Sequence, residues 1–573
     1  MSFKVFFTGF LNKKTHPKKN FIIEQFYVDK YNFNKKINFE SVAFPLSSKE
    51  VKNNYKFLDN KKKIYKDNIN SFFKKNFPER KDYWHSTLDY WLIYFLSSIH
   101  IKYQKLKKIK KKYPNIKLFK IDSKYLEDIY QTQDFIESAD HSELLNIYIY
   151  QKIAESLNIK LIDSNFEGGS KFKILKNRNR RAKIDKKNFF IRKIKFSFIY
   201  LYCIIRKPYL LIDIYSSRYF KIKCLLSSFG NMFPISSESI FLNEKLSTNK
   251  KILNTHTIKI NEADEFDLVV NNIINHCFPK ILFTDFDLKN FYFLKKIKGI
   301  INSINITSQD HFRFVISIFN KKKIFTLQHG GLYNMQKKNL IEEFEKNNSI
   351  FLGWKKLFSF QAYFNYKFIN KPLYEQNKKI ILFTTVKSIN MVRYESELVG
   401  FKSNNDFVQN SFSLYKNLNE GIRKNLTIRY PKHNYNWNLE ELCRKKARNL
   451  GNQFKSPNFF NLDSPEVAIT SSRIFVCDHI STPFFEALYS GVPIIIYDDL
   501  MNYEFKDNIL KILLNLKKNN IIHDSPEECA AFINLHYNNI NDWWNNIKTK
   551  KAINNLKKAI FAKDGKINIS NFL

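Results

Sequence analysis

The stretch from Arg473 to Tyr497 constrains the fold more than any other part of the chain. Arg473–Cys477 reads as a short apolar strand, and Asp478-His479-Ile480-Ser481-Thr482 as the turn that follows it. Ser481 or Thr482 can cap a helix, and Pro483 suits its first turn, where a missing N–H costs no helical bond. Gly491 stands where a helix ends in a left-handed residue. Val492–Tyr497 is then a strand apolar enough to be buried on both faces, as in a parallel sheet. Units of this kind hold nucleotides and phosphates where strand gives way to helix, because the helix N-terminus offers unpaired N–H groups.

The same alternation recurs upstream. Tyr209–Ile214, Lys280–Thr284, Gly299–Ile306 and Lys323–Leu327 read as strands, with a helix at Phe312–Phe319. A second alternating region opens at Lys378, with further strands at Leu426–Arg429, Ile474–Cys477 and Val492–Tyr497 and a helix at Glu440–Leu450. At 573 residues the chain exceeds one ordinary core. The expected fold is therefore α/β, two facing Rossmann-like domains with an N-terminal helical extension. The boundaries fall at 1–375, 376–540 and a C-terminal tail of 541–573, with the junction near the polar run Lys371–Lys379.

The extension contains Tyr83–Leu96, a strongly apolar helix running into the basic Lys105–Lys112, and a helix pair across Asp134–Asn158. Met1–Asn60 mixes short aromatic strands, Val5–Thr8 first among them, with lysine-rich loops. Lys171–Lys195 reads as a basic surface insertion that could face a membrane. Phe196–Ile205, bounded by Lys195 and Arg206, is too short to span a bilayer and suits a buried strand or helix segment. Asp542-Trp543-Trp544 reads as a helix docking the tail.

Lys and Arg number 95 against 53 Asp and Glu, for a net charge of +42. Abundant Lys, Asn, Ile and Phe throughout make this largely a compositional bias, yet it favours anionic partners such as membrane surfaces and nucleotide-linked substrates. No RNA-recognition, zinc-knuckle or paired Cys/His pattern appears, so nucleic acid is not the expected partner. The six cysteines are scattered, which argues against a disulfide framework or a cysteine-based zinc site and fits a reducing compartment. Met1–Phe7 lacks the apolar core of a signal peptide, so a cytoplasmic location is expected, with peripheral contact at the inner membrane face.

Three constellations could carry chemistry. In Gln328-His329-Gly330-Gly331 a strand runs into two glycines that permit close backbone approach to a ligand. A histidine there can act as general base or donate to phosphate. His329 is the first candidate for that role, with Gln328 beside it and Asp285 and Asp310 behind. Arg429, Lys432 and His433 form a cationic group after a strand, able to hold a phosphate ester. Asp478, His479, Ser481, Thr482 and Glu486 bracket a helix N-terminus, where hydroxyls and N–H groups suit phosphate and a carboxylate suits a ribose diol. There is no P-loop and no HExxH, and neither a metal nor a cofactor is implied.

Together these motifs resemble a bacterial family of transferases encoded in O-antigen and other surface-carbohydrate gene clusters. The likeness rests on Tyr83-Trp84 with Trp91-Leu92, Gln328–Gly331 with Tyr333, Gly353-Trp354, Arg429-Tyr430-Pro431 and Ser481–Ala487. More distantly, the last segment is similar to capsule Kdo transferases and CDP-glycerol glycerophosphotransferases of the glycosyltransferase-B fold. The resemblance implies a nucleotide-activated sugar donor in the C-terminal domain, a glycan or lipid-linked acceptor on the N-terminal side, and no metal in the chemistry. The His-Pro dipeptide of CMP-sugar enzymes is absent, with Pro431-Lys432-His433 in its place. A polyol-phosphate transferase is the enzymatic rival, and a basic nucleic-acid-binding or scaffold protein the rival of another class.

Overall fold

The computed structural model describes residues 4–7, 20–24, 39–42, 48–77, 84–163, 186–216, 218–237, 257–283, 288–316, 323–358, 362, 378–384, 390, 394, 404–430, 443–444, 446–448 and 464–562. Among them, strands of two to five residues form three five-stranded sheets, and every strand pairing is parallel. The molecule is thus α/β, with Rossmann-like units, as the alternation of elements requires.

The first sheet comprises β1 (Lys4–Phe7), β2 (Asn20–Glu24), β3 (Phe39–Val42), β4 (Lys117–Lys120) and β5 (Lys160–Asp163), in the order β3-β2-β1-β4-β5. Its helices are α1 (Ser48–Asn76), α2 (His85–Lys112), α3 (Thr132–His141) and α4 (Glu143–Ser156). The sequence reading expected two α/β domains; the segment it treated as an extension builds a sheet of its own. Both faces of that sheet are covered. Phe6, Ile22 and Leu118 join the helical core around Trp91 and Phe95, whereas Val5, Phe21, Ile23 and Phe119 pack with Ile380, Val408 and Phe412 far along the chain. The two-residue alternation of strand side chains makes that division. Strands this short, set among lysines, give little periodic signal, which is why the sheet was not foreseen.

The second unit runs α5 (Lys186–Arg206), β6 (Tyr209–Ile212), α6 (Arg218–Ser227), β7 (Met232–Ile235), α7 (Glu265–Cys277), β8 (Gly299–Asn302), α8 (Asn305–Ser308), α9 (Asp310–Ile316), β9 (Ile324–Leu327), α10 (Leu340–Asn348) and β10 (Ile350–Leu352). Its order is β10-β9-β8-β6-β7. Lys280–Phe283, expected as a strand, is a 3₁₀ helix. Pro279 opens it by accepting the Leu282 N–H at 3.0 Å, and the Lys280 and Ile281 N–H groups bond to Ile129 and Tyr130 instead of to a sheet. Phe196–Ile205 lies within α5, and only part of its apolar surface is buried.

The third unit runs β11 (Ile380–Phe383), α11 (Asn404–Asn417), α12 (Glu420–Arg423), β12 (Leu426–Arg429), α13 (Pro465–Thr470), β13 (Ile474–Cys477), α14 (Thr482–Ser490), β14 (Ile494–Tyr497), α15 (Asp507–Lys518), β15 (Ile522–His523), α16 (Pro526–His536), α17 (Ile540–Asn545) and α18 (Ile547–Ile560), with order β12-β11-β13-β14-β15. All residues of β12, β13 and β14 are buried, as central parallel strands demand. Gly491 ends α14 at φ 83°, the left-handed cap read from the sequence. Trp544 in α17 is buried and donates its indole N–H to the Gly491 carbonyl at 2.9 Å, tying the tail helices to the end of α14. The junction near 371–379 lies mostly outside the described residues, as do most of Glu440–Leu450 and the first half of the basic insertion. The six cysteines are free and buried, and burial pushes the Cys203, Cys224 and Cys277 thiols up to about 12. Among the described residues no helix is long and apolar enough to cross a membrane.

Candidate functional site

In the second and third sheets the first strand of the unit lies inside the sheet, so the chain winds outward in both directions from it. Adjacent loops there diverge at the carboxyl ends of the strands and open a natural ligand position. In the third sheet this switch point lies between β11 and β13. Thr384, just after β11, donates its hydroxyl to Asp478, just after β13. The other Asp478 oxygen lies 2.5 Å from His479 Nδ1. Asp478 is 1% exposed, so this carboxylate is a buried anchor that orients the His479 ring. Burial first, and the Asp478 charge after it, push the Cys477 thiol and the Tyr497 hydroxyl well above their ordinary values.

The turn then enters α14. Ser481 is its N-cap in extended conformation, and its side chain makes no capping bond. The first-turn N–H groups of such a helix carry partial positive charge. Glu486 is buried one turn further on. Arg429 closes β12 on the neighbouring strand, is buried, and stacks its guanidinium 4.8 Å from the Phe383 ring centroid. Lys432 and His433 fall outside the described residues, and so does Asp285.

The Gln328-His329-Gly330-Gly331 loop leaves β9 and meets this turn directly. The Gly331 N–H donates to Thr482 Oγ1 at 3.0 Å. A Cβ on Gly331 would stand 2.6 Å from the Phe485 ring and 3.0 Å from the Thr482 nitrogen, so only glycine allows the approach. The seam continues along the chain: Lys337 N–H bonds to Glu504 O at 2.8 Å and Lys506 N–H to Met335 O at 2.9 Å, around an antiparallel bridge between Gln336 and Phe505. Leu332, Met335 and Trp354 share one apolar cluster with Phe484, Phe485 and Phe505.

Gln328 shapes the loop. Its amide oxygen accepts the Trp354 N–H at 2.8 Å, its amide nitrogen donates to Gly330 O at 2.8 Å, and its carbonyl accepts the Trp354 indole at 3.0 Å. The residue is 3% exposed. With both ends of the amide engaged by main chain, Gln328 braces the loop, and Gly353-Trp354 is the other half of that brace. His329 is different. Its side chain keeps 22% exposure, its Nδ1 lies 3.9 Å from Glu345 Oε1, and its Nε2 lies 3.4 Å from the Tyr333 hydroxyl. The ring is positioned between a buried carboxylate and a phenol.

Glu345 was not among the residues singled out from the sequence. A signal was present: Glu345 lies four residues beyond Ile341, on the apolar stripe of α10, and is fully buried. Asp310, an alternative base in the sequence reading, is also buried, but it pairs with Arg313 and accepts the Thr132 N–H at 2.5 Å. It ties α9 to α3. Among the described residues no cluster of three His, Cys or carboxylate groups is arranged to hold a metal ion.

A family model described as LIC12162 family transferase matches residues 4–568. The chain belongs to the LIC12162 transferase family. No curated protein matches it. The match takes in all three sheets of this LIC12162-family transferase, including the first, as well as both loops that meet at Gly331 and Thr482. The chain is accordingly a transferase, an enzyme whose site must accommodate a group donor and an acceptor.

Proposed function

We propose that this transferase moves a sugar from a nucleotide-activated donor to a glycan or lipid-linked acceptor in surface-polysaccharide synthesis, on a glycosyltransferase-B-like fold. The observation that carries the reading is the Gly331–Thr482 hydrogen bond, which brings the histidine loop and the α14 N-terminus together. In this reading the donor diphosphate lies against α14, with Ser481 and Thr482 hydroxyls and first-turn N–H groups as donors. Thr482 Oγ1 accepts from Gly331 and retains its own O–H for phosphate. Arg429 and Lys432 offset charge on the departing nucleotide, His433 and His479 flank it, and Glu486 takes the ribose diol.

His329 takes the proton of the acceptor hydroxyl as its oxygen attacks the anomeric carbon. The bond from that carbon to the phosphate oxygen breaks, and the nucleotide leaves with the electron pair. The nearby Glu345 carboxylate favours the imidazolium that forms. Glu345 is a positioning residue in this scheme, not a catalytic one.

A thermal-shift series with CMP-, UDP-, GDP- and CDP-linked sugars tests the donor half. One nucleotide class should stabilise the protein saturably, as ligand linkage requires. Stabilisation by none of them would remove the assignment, and a phosphodiester in the product, read by mass, would replace it with polyol-phosphate transfer.

A further inference from the structure

The carboxyl ends of the second sheet carry a polar group that the reaction scheme above leaves unassigned. β6 pairs with β7 on one side and β8 on the other, so the loops after β6 and β8 part at a switch point of their own. Asp213 ends β6 in the left-handed region, at φ 42°, a conformation that aspartate tolerates better than most residues. Its Oδ2 accepts the Ser237 N–H at 3.1 Å and the Asn305 amide nitrogen at 2.9 Å. The Tyr215 N–H donates to Ser303 Oγ at 3.1 Å, which pins the β6 loop to the β8 loop.

Hydrogen-bonding capacity is left over. Both bonds to Asp213 fall on Oδ2, which leaves Oδ1 to accept from a ligand. An ionised carboxylate can only accept, so Asn305 turns its amide nitrogen toward Asp213 and its Oδ1 away. That Oδ1 is buried and, like the buried Ser216 Oγ, has no hydrogen-bond partner among the described residues. Buried polar groups are seldom left unsatisfied, and oxygens in this number are what a ligand rich in hydroxyl donors would satisfy.

Tyr215 joins this group to His329. It is 41% exposed, and its ring centroid lies 6.4 Å from that of His329. A sugar has apolar C–H faces and a rim of hydroxyls, so it lies on an aromatic ring while its hydroxyls donate to carboxylate and amide oxygens. Charge selects the class of sugar. Residues 209–217, 231–237 and 299–312 contain no Lys or Arg, although 95 of the 573 residues are cationic. Asp213 would repel a second carboxylate or a phosphate. The third sheet is the reverse, with the buried Arg429 closing β12. We propose that Asp213, Tyr215, Ser216 and Asn305 form the acceptor subsite, and that it takes a neutral, polyhydroxylated sugar residue stacked on Tyr215 with a hydroxyl toward His329. That the sugar is an acceptor rests on the transfer reading above; that a sugar binds here rests on the loops alone.

Saturation-transfer NMR on the full chain tests it, with the methyl glycosides of glucose, galactose, mannose, rhamnose and N-acetylglucosamine against methyl glucuronide and glucose 6-phosphate. At least one neutral glycoside should receive saturation on its ring protons, and neither acid should. Tyr215→Ala should weaken that binding about fivefold or more, as loss of an aromatic face does, with no fall in melting temperature. Asp213→Asn, which suits the same turn, should weaken it too; should that variant unfold, Tyr215→Ala alone decides. No binding of any neutral glycoside, binding undiminished in Tyr215→Ala, or tighter binding of either acid overturns the proposal. Stabilisation by nucleotide-linked sugars should be the same in both variants as in the wild type. Glycoside binding without stabilisation by any nucleotide would sink the transfer reading and keep the sugar site, and the converse would sink the sugar site and keep the donor.

Discussion

The Gly331 N–H reaches Thr482 Oγ1 across 3.0 Å and joins positions 151 residues apart in the chain. It is the point at which a loop of the second sheet meets the helix N-terminus of the third. Gly331→Ala would drive a methyl group into the Phe485 ring and the Thr482 nitrogen. Overpacking of this kind costs about 1–3 kcal/mol. The variant should melt lower and lose transfer activity more than stability alone explains, because the two loops separate. Gly421→Ala is the control: its Cβ meets nothing within 4 Å, so the melting temperature should hold or rise slightly.

His329→Ala should lower kcat by about 10²-fold or more while leaving KM and the melting temperature nearly unchanged, as loss of a general base does. Glu345→Gln should also lower kcat, by a smaller factor, with little change in KM. Wild-type kcat in His329→Ala would exclude it as the base.

Gln328→Leu keeps the volume roughly and removes both amide groups. The Trp354 N–H and the Gly330 carbonyl would lose their partners. Each buried polar group left unsatisfied costs about 1–3 kcal/mol, so a clear drop in denaturation midpoint is expected alongside the loss of activity. A stable but inactive variant would instead put Gln328 in direct contact with substrate.

Lys102 in α2 is 2% exposed, with its ammonium 2.9 Å from Ser98 Oγ. Burial, helped by the charge of Lys105, lowers it from 10.5 to about 7. Between these values the unfolded chain binds a proton that the folded chain lacks, so stability should rise as pH climbs from about 7 toward 10.5 and be lowest below the folded value. Lys102→Met should raise the melting temperature near neutral pH and flatten this dependence. An unchanged pH profile in chemical denaturation would show that Lys102 is not its source.

Much of the second and third sheets was legible because their strands are runs such as Ile494–Tyr497, bounded by a glycine cap and polar turns. The histidine loop was legible for the same reason: two glycines after a strand announce a backbone that must come close to something. What it comes close to was not. Thr482 was read as a phosphate donor, and its bond to Gly331 links loops with no local sequence relation. Glu345 escaped notice because its spacing from Ile341 is a faint mark among neighbouring acids; the packing of α10 buries it.

By itself the sequence determined the α/β class, the strand-to-helix turn at Asp478–Glu486 and the placement of His329 after a strand, all consequences of apolar spacing, caps and glycines within one short window. Tertiary structure alone decided that there are three sheets, that Val5 and Phe21 pack against Val408 and Phe412, that Gln328 braces a loop, and that Phe198 and Phe229 stay outside. The physical reason is range. Propensity acts between neighbours in the chain, whereas burial and hydrogen-bond partners depend on segments tens to hundreds of residues away, which fix which apolar face finds a partner and which is left to the solvent.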